Sequence, residues 1–209
     1  MLKAKDLGLY LCVGAASFKG RALAEILEQA IAGGVTMVQI REKDMCSREF
    51  YDITCAALEI TRARKVPLVV NDRLDIALAS GADGLHLGQS DMPLEAARKV
   101  AGGRLFIGVS AGTVEEAIAA GRGGADYLGA GAVFPTSSKA DAGDAIGLER
   151  LAAICAAVSI PVVGIGGIGP HNAASVMESG AAGIAVISAI LSEKDIRAAA
   201  ESLWARIGG

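Results

Sequence analysis

Short apolar runs alternate with longer amphipathic segments along the whole chain. Runs that lack regular polar alternation are typical of strands buried on both faces, as in parallel sheets covered by helices. Eight such runs predict eight strands. They are Leu9–Val13, Met37–Ile40, Leu68–Val70, Gly84–Leu87, Leu105–Val109, Tyr127–Ala130, Pro161–Ile165 and Gly183–Ile187.

The segments between these runs space their apolar residues as amphipathic helices do. The predicted helices are Leu23–Ile31, Arg48–Arg64, Arg73–Ser80, Pro93–Val100, Val114–Arg122, Leu148–Val158, His171–Ser179 and Glu193–Ile207. Pro93 and Pro170 suit helix starts, and Ser47 and Thr113 suit N-caps, with Glu116 in capping-box register after Thr113. Glycines suit the helix ends at Gly33, Gly81 and Gly180.

Eight strands alternating with eight helices predict an α/β fold, a single-domain (β/α)8 TIM barrel. No linker, low-complexity segment or charge block divides residues 1–209, so one catalytic domain is expected over that range. A doubly wound open sheet is the alternative. The even rhythm of the strands favours closure.

Composition narrows the function classes. A net charge of -3 provides no field for nucleic acid or an anionic membrane, so any anion site must be local. The four cysteines form no C-x-x-C pair and only two histidines accompany them, which favours reduced thiols over a zinc site. The start of the chain lacks the apolar run of a signal peptide, so we expect a cytoplasmic enzyme.

Polar residues follow the predicted strands, where (β/α)8 barrels carry their chemistry. Gln39, Arg41 and Lys43 alternate at the end of the second strand, so in extended chain they share one face. An amide and two cations in a barrel mouth predict an anion there. Lys43 alone is also consistent with an ordinary charged loop tip.

Two carboxylates follow neighbouring strands. Asp72 after the third strand and Asp91 after the fourth could each be a helix cap. Together, beside cationic residues, they instead predict a Mg2+ site completed by substrate phosphates. His86 alternates with Leu85 and Leu87 within a strand, which favours a supporting core histidine over a catalytic one.

The later loops suit phosphate binding. Hydroxyl groups and a lysine follow the sixth strand at 136–139, which predicts an anion-binding arm, although a plain surface loop has the same composition. The glycine run at 164–169 and the segment 185–189 end the last two strands. Loops at these two positions form the recurrent phosphate cradle of such barrels.

At this point the chain resembles the thiamine-phosphate synthase family, also called thiamine-phosphate pyrophosphorylases. The resemblance spans nearly the whole chain in the right order, and it rests on the combination of segments. These are 38–44 (VQIREKD), 67–73 (PLVVNDR), 82–91 (ADGLHLGQSD), 108–110 (GVS), 133–139 (VFPTSSK), 165–168 (IGGI) and 185–190 (AVISAI).

The resemblance implies that 4-amino-2-methyl-5-(diphosphooxymethyl)pyrimidine is joined to 4-methyl-5-(2-phosphooxyethyl)thiazole, with release of diphosphate. It implies a pyrimidine diphosphate site of Gln39, Ile40, Arg41, Glu42, Lys43, Asn71, Ser110 and Lys139. It implies a thiazole phosphate site of Thr136, Ser137, Ser138, Gly167, Ile187 and Ser188. One Mg2+ would be held by Asp72 and Asp91. The catalytic residues would be Arg41, Lys43, Ser110 and Lys139.

Two positions depart from the family pattern, and two other functions stay open. Gly112 stands where many members carry His, and Ala132 stands where Pro is usual. A thiazole tautomerase would share the barrel and its phosphate cradle but lack the diphosphate half. A non-catalytic phosphate sensor would need no metal pair. The sequence leaves the oligomeric state open, with a homodimer as one option.

Overall fold

The computed structural model describes residues 2–136, 138 and 143–209. Eight parallel strands form a closed barrel in chain order, and the first strand pairs with the eighth, with Leu9 opposite Ile184. The strands are β1 Leu9–Val13, β2 Met37–Ile40, β3 Leu68–Asn71, β4 Gly84–Leu87, β5 Phe106–Ala111, β6 Tyr127–Gly131, β7 Val162–Ile165 and β8 Gly183–Val186. The predicted (β/α)8 barrel is confirmed, and the open-sheet alternative is wrong.

Helices connect successive strands around the outside. They are α1 Leu23–Ala32, α2 Ser47–Ala63, α3 Leu74–Ser80, α4 Leu94–Ala101, α5 Val114–Arg122, α6 Gly147–Ala157, α7 Ala173–Glu178, α8 Ser188–Leu191 and α9 Ile196–Arg206. The short helix α8 was not predicted as a separate element. The last predicted helix is shorter than expected, because the Asp195 side chain accepts a hydrogen bond from the Ala198 N–H at 2.9 Å and so caps α9.

The helix caps and helix starts predicted from the sequence are confirmed only in part. Thr113 is confirmed as an N-cap, since its hydroxyl accepts from the Glu116 N–H at 3.2 Å. Ser47 is wrong as a cap, because it is already the first residue of α2. Pro170 is wrong as a helix start. The side chain of Asn172 accepts from the Gly169 N–H at 2.8 Å, and this turn delays α7 to Ala173.

The core has two layers because each strand is covered on both faces. Outward residues such as Leu11 and Val38 pack against the helices, whereas Tyr10, Met37 and Tyr127 fill the barrel interior. This double burial is the reason for the uninterrupted apolar runs in the sequence. No helix within the described ranges is long and apolar enough to cross a membrane.

Candidate active site

A cavity of about 340 Å3 opens at the carboxyl ends of the strands. Most of the residues predicted for the site line it, contributed by strands and loops on both sides of the barrel axis. They are Arg41, Lys43, Asn71, Asp72, Asp91, Ser110, Thr136, Ser138, Gly167, Ile187 and Ser188. The barrel therefore brings residues from both predicted substrate sites into one cavity.

Asp72 lies in a tight turn directly after β3. The Arg73 N–H donates to the Asn71 carbonyl at 2.7 Å, and the Asp72 N–H donates to the His86 carbonyl at 2.8 Å. The Asp72 φ of 61° lies in the left-handed region, which costs free energy for a residue other than glycine and is more common at functional sites. The helix-cap interpretation of Asp72 is wrong, because α3 begins after Arg73 without a side-chain cap.

Asp72, Asp91 and Lys43 form a charged cluster at the rim. The carboxylates of Asp72 and Asp91 are close enough to share a hydrogen bond, and Lys43 Nζ lies 2.5 Å from Asp72 Oδ2. Asp91 is held by its loop, since its Oδ2 accepts from the Gly88 N–H at 2.7 Å. Asp91 is not the cap of α4, which begins after Pro93.

The electrostatics of this cluster favour a bound cation. Burial and the neighbouring Asp91 raise the pKa of Asp72 above its usual range, although Lys43 opposes that rise. Burial lowers the pKa of Lys43, but the hydrogen bond and charge of Asp72 outweigh it, so the pKa of Lys43 is raised. Two crowded carboxylates partly removed from water are stabilised by additional positive charge.

The site residues predicted in β2 and in the loop after it lie in different environments. Arg41 and Lys43 line the cavity, as the alternation predicted. Gln39 does not line it, because its side chain lies in the barrel interior, 2% exposed, and its Nε2 donates to Tyr10 Oη at 2.7 Å. The predicted contact between Gln39 and a substrate stays a prediction.

Ile40 and Glu42 face away from the cavity. Ile40 is fully buried in the layer between strands and helices. Glu42 Oε1 accepts a hydrogen bond from the Ala15 N–H at 2.5 Å, which ties the loop after β1 to the end of β2. Burial raises the pKa of the Glu42 carboxyl, and the Ala15 N–H partly opposes that rise. Any contact of these two residues with a ligand would involve their backbone.

Neutral polar groups form the floor of the cavity. Asn71 is 5% exposed, and its Nδ2 has no hydrogen-bond partner among the described residues. His86 and Ser110 stand beside it on the next two strands, joined by a 3.0 Å contact between His86 Nε2 and Ser110 Oγ. A buried donor without a partner carries a free-energy cost that a ligand can relieve.

The opposite half of the cavity is made of backbone and hydroxyl groups. Gly166 and Gly167 have φ values of 96° and 66°. A Cβ on Gly167 would lie 2.7 Å from Phe134 Cβ and from the Pro135 carbonyl oxygen. Glycine is therefore required here by both conformation and space, and its backbone lines the cavity.

Two serines join the loops after β6 and β8. Ser138 Oγ and Ser188 Oγ lie 2.9 Å apart, and Thr136 Oγ1 accepts from the Ser138 N–H at 3.2 Å. Ser188 is the first residue of the short helix α8. Ser137 and Lys139, which the resemblance assigned to the two substrate sites, lie outside the described residues.

The structure adds site residues that were not singled out as ligands. Gln89 lines the cavity, and its Nε2 donates to the Ser110 carbonyl at 2.6 Å, which braces β5 from the loop after β4. His86 also lines the cavity, and both of its ring nitrogens lie within hydrogen-bond distance of a hydroxyl group, that of Tyr127 or of Ser110, as expected of a supporting histidine. Its supporting rather than catalytic role stays a prediction. The position of Gln89, two residues after the end of β4, could have indicated its place.

The rim cluster suits a magnesium ion better than a zinc ion. Within residues 2–136, 138 and 143–209, no three His, Cys, Asp or Glu side chains converge as a metal site. One or two protein carboxylates, completed by oxygens of a substrate phosphate, are however the usual way in which Mg2+ is held. Asp72 and Asp91 therefore fit a metal that arrives together with a phosphorylated substrate.

The fold and the cavity together define a (β/α)8-barrel enzyme. The model of the thiamine monophosphate synthase family matches residues 9–190. The thiamine-phosphate synthase of Clostridium novyi (strain NT) is 52% identical over 195 residues, which cover 93% of this chain and 96% of that protein. The chain belongs to the thiamine monophosphate synthase family, and the resemblance drawn from the sequence is confirmed.

Further relatives agree in sequence and in structure. The thiamine-phosphate synthase of Ruminiclostridium cellulolyticum is 52% identical over 198 residues, covering 95% of this chain and 94% of that protein. The solved structure of thiamine phosphate pyrophosphorylase from Pyrococcus furiosus is 44% identical, with a TM-score of 0.90, covering 98% of this chain and 96% of that chain. The likeness therefore includes the whole barrel.

Proposed function

We propose that this protein joins the pyrimidine diphosphate to the thiazole phosphate, forming thiamine phosphate and diphosphate, with one Mg2+ in the site. The observation that carries the proposal is the contact between the Asp72 and Asp91 carboxylates beside Lys43, across the cavity from the glycine and serine loops. One side suits a metal diphosphate and the other suits a monophosphate. The reaction needs both.

The two carboxylates would hold the metal ion. When bound, Mg2+ supplies positive charge that stabilises the diphosphate as it leaves. Asp91 is oriented for this by the Gly88 N–H, and Asp72 by the turn after β3. Lys43 and Arg41 border the same region and would neutralise charge on the departing oxygens.

Strand direction orients the pyrimidine diphosphate within the cavity. Asn71, His86 and Ser110 lie on the strands themselves, whereas Asp72, one residue beyond β3, and Asp91, in the loop after β4, lie closer to solvent. The neutral ring therefore belongs at the floor and the charged diphosphate at the rim. Asn71 Nδ2, which lacks a partner among the described residues, would donate to the ring.

The bond changes follow from this placement. The C–O bond between the pyrimidine methylene and the diphosphate breaks, and the diphosphate keeps the electron pair. The electron-rich aminopyrimidine stabilises the resulting carbon cation, and the thiazole nitrogen attacks it to form the new C–N bond. The two phosphate sites hold both partners close together, so no strong protein base is required.

The thiazole phosphate would bind at the loops after the last three strands. Gly167 lines the cavity and would present its backbone to the phosphate, and Ser188 with Ser138 would contribute hydroxyl groups.

Both substrates are water-soluble phosphate esters, and we place the reaction in the cytoplasm.

Two other functions are less well supported. A thiazole tautomerase would not require the rim cluster of Asp72, Asp91 and Lys43 opposite the phosphate loops. A phosphate sensor would not require groups that stabilise a leaving diphosphate. We therefore favour the condensation.

The direct test supplies purified protein with Mg2+ and both substrates. We expect stoichiometric release of diphosphate and formation of thiamine phosphate, with loss of both after chelation and recovery on adding Mg2+. Controls omit each substrate in turn. Isomerisation of the thiazole alone, or full turnover with chelator, would contradict the proposal.

A further inference from the structure

A chain of hydrogen bonds crosses the barrel interior and ends in the active-site cavity. Gln39 Nε2 donates to Tyr10 Oη at 2.7 Å, and Tyr10 Oη lies 2.9 Å from Tyr127 Oη. Tyr127 Oη lies 3.0 Å from His86 Nδ1, and His86 Nε2 lies 3.0 Å from Ser110 Oγ. The last member, Ser110, lines the cavity.

Either phenol of the Tyr10–Tyr127 pair could be the donor in the bond between them, and each phenol has one proton to give. In the direction that we infer, Tyr10 accepts from Gln39 and donates to Tyr127, and Tyr127 donates to His86 Nδ1. A neutral imidazole that accepts at Nδ1 carries its proton on Nε2, which then donates to Ser110 Oγ. The hydroxyl proton of Ser110 is thereby left for an acceptor in the cavity.

The hydrogen-bond chain orients its own side chains and does not carry net charge across the barrel. Burial raises the pKa of Tyr10 and of Tyr127, so both phenols keep their protons at neutral pH. The rings are also held in place by packing. A Cβ on Gly108 would lie 2.0 Å from Tyr127 Cζ, and Tyr127 packs edge-on against Phe106 with ring centres 6.3 Å apart.

We propose that Tyr127 and His86 are positioning residues that fix Ser110 as a hydrogen-bond donor to an acceptor nitrogen of the pyrimidine ring. The identity of the ring rests on the proposed function. The floor of the cavity then presents two neutral donors, Ser110 Oγ and Asn71 Nδ2, on neighbouring parts of the barrel. A heterocycle with acceptor nitrogens satisfies both, and one with an N–H at that edge does not.

The first test measures the His86 tautomer directly. The chain has two histidines, so nitrogen NMR of protein labelled with 15N-histidine gives two ring systems. The exposed His171 is assigned by comparison with His171→Ala. We expect the Nε2–H tautomer at His86 in the wild-type protein and a shift towards Nδ1–H in Tyr127→Phe. Nδ1–H in the wild-type protein would overturn the proposal, whether or not Tyr127→Phe folds.

The second test is a double-mutant cycle in the active holoenzyme with Mg2+. We expect Tyr127→Phe to raise KM for the pyrimidine diphosphate about fivefold, consistent with one hydrogen bond, and to leave KM for the thiazole phosphate unchanged. In a Ser110→Ala background, Tyr127→Phe should have no further effect on either KM. Effects that multiply would mean that Tyr127 acts independently of Ser110 and would overturn the proposal.

Matched controls separate the failure of this inference from failure of the proposed function. Tyr51→Phe, on the outer helix α2, makes the same chemical change away from the cavity and should leave both KM values unchanged. A wild-type protein that shows the Nε2–H tautomer but no condensation would refute the proposed function alone. Normal condensation with Nδ1–H at His86 would refute the positioning role alone.

Discussion

The two sides of the cavity carry different kinds of chemical group. The side after β2, β3 and β4 uses charged side chains, with Lys43 Nζ 2.5 Å from Asp72 Oδ2 and Asp91 in contact with Asp72. The side after β6, β7 and β8 uses glycine backbone and the Ser138–Ser188 hydroxyl pair. In the proposed reaction the leaving diphosphate changes its charge distribution, whereas the phosphate of the thiazole keeps the same charge throughout.

This difference indicates where the transition state is stabilised. Groups that act on the leaving diphosphate should affect kcat, because their interaction strengthens as charge develops. Groups that only hold the second phosphate should affect KM. Variants on the two sides of the cavity should therefore separate in their kinetic effects.

The largest effect is expected from Asp72→Asn. The loss of one of the two carboxylates that we propose hold Mg2+ should lower kcat by about 100-fold or more, because charge stabilisation is lost in the transition state. Asn also tolerates the left-handed φ of 61°, so the turn should be kept. Diphosphate release across a Mg2+ titration measures the effect. Thermal unfolding is the control, and loss of the fold would instead assign Asp72 a structural role.

Lys43→Gln should have the next largest effect. Removal of the charge beside Asp72 should raise KM for the pyrimidine diphosphate about tenfold and lower kcat as well, since the charged hydrogen bond that we propose between Lys43 and the diphosphate would be lost. Steady-state kinetics with each substrate varied measures this. Lys99→Gln, an exposed change on α4, is the matched control. An effect confined to the thiazole phosphate would contradict the assignment of the two sides.

Gly167→Ala tests the side of the cavity after β6, β7 and β8, which is made of glycine backbone and hydroxyl groups. The new Cβ would meet Phe134 and Pro135 at 2.7 Å and adopt a φ of 66°, so we expect about 1–3 kcal/mol lower stability. KM for the thiazole phosphate should rise, with little change for the pyrimidine diphosphate. Gly102→Ala, with a φ of 60° and open space around it, separates backbone strain from the contact. Equal KM effects from both variants would argue against a phosphate cradle.

The smallest effect is expected from Gly112→Ala at the border of the two sides. A Cβ there would meet only Glu116 Oε2 at 3.6 Å, and the Gly112 N–H would still donate to that atom. Stability should change by about 0.5 kcal/mol or less, with both KM values kept within about twofold. Calorimetry and kinetics measure these quantities. A large change in one KM would show that this position shapes the corresponding site.

The fold was largely predictable because the burial pattern that determines it is local and is repeated in every strand and helix. Each strand is buried on both faces and each helix on one, so the period of the apolar residues differs between them along the whole chain. Errors occur where a polar side chain redirects the backbone. Asn172 delays α7 and Asp195 delays α9, and such turns leave little trace in the apolar pattern.

The site was predictable to the extent that strand ends meet at one face of the barrel. That rule placed Arg41, Lys43 and Asp91 in the cavity. It did not predict the burial of Gln39, because its partner Tyr10 is contributed by a different strand. Alternation alone placed Gln39 on the same face as Arg41, but it could not give the depth of each along the barrel.

The sequence by itself determined the barrel, the order of its elements and the chemical types of groups at its mouth, because each depends on residues close together in the chain. Only the tertiary structure decided which of these groups meet. The hydrogen-bond chain from Tyr10 through Tyr127 and His86 to Ser110 joins β1 to strands β4, β5 and β6, which lie far from it in the sequence. Tyr10 meets Tyr127 because the sheet closes, and closure is a property of all eight strands together.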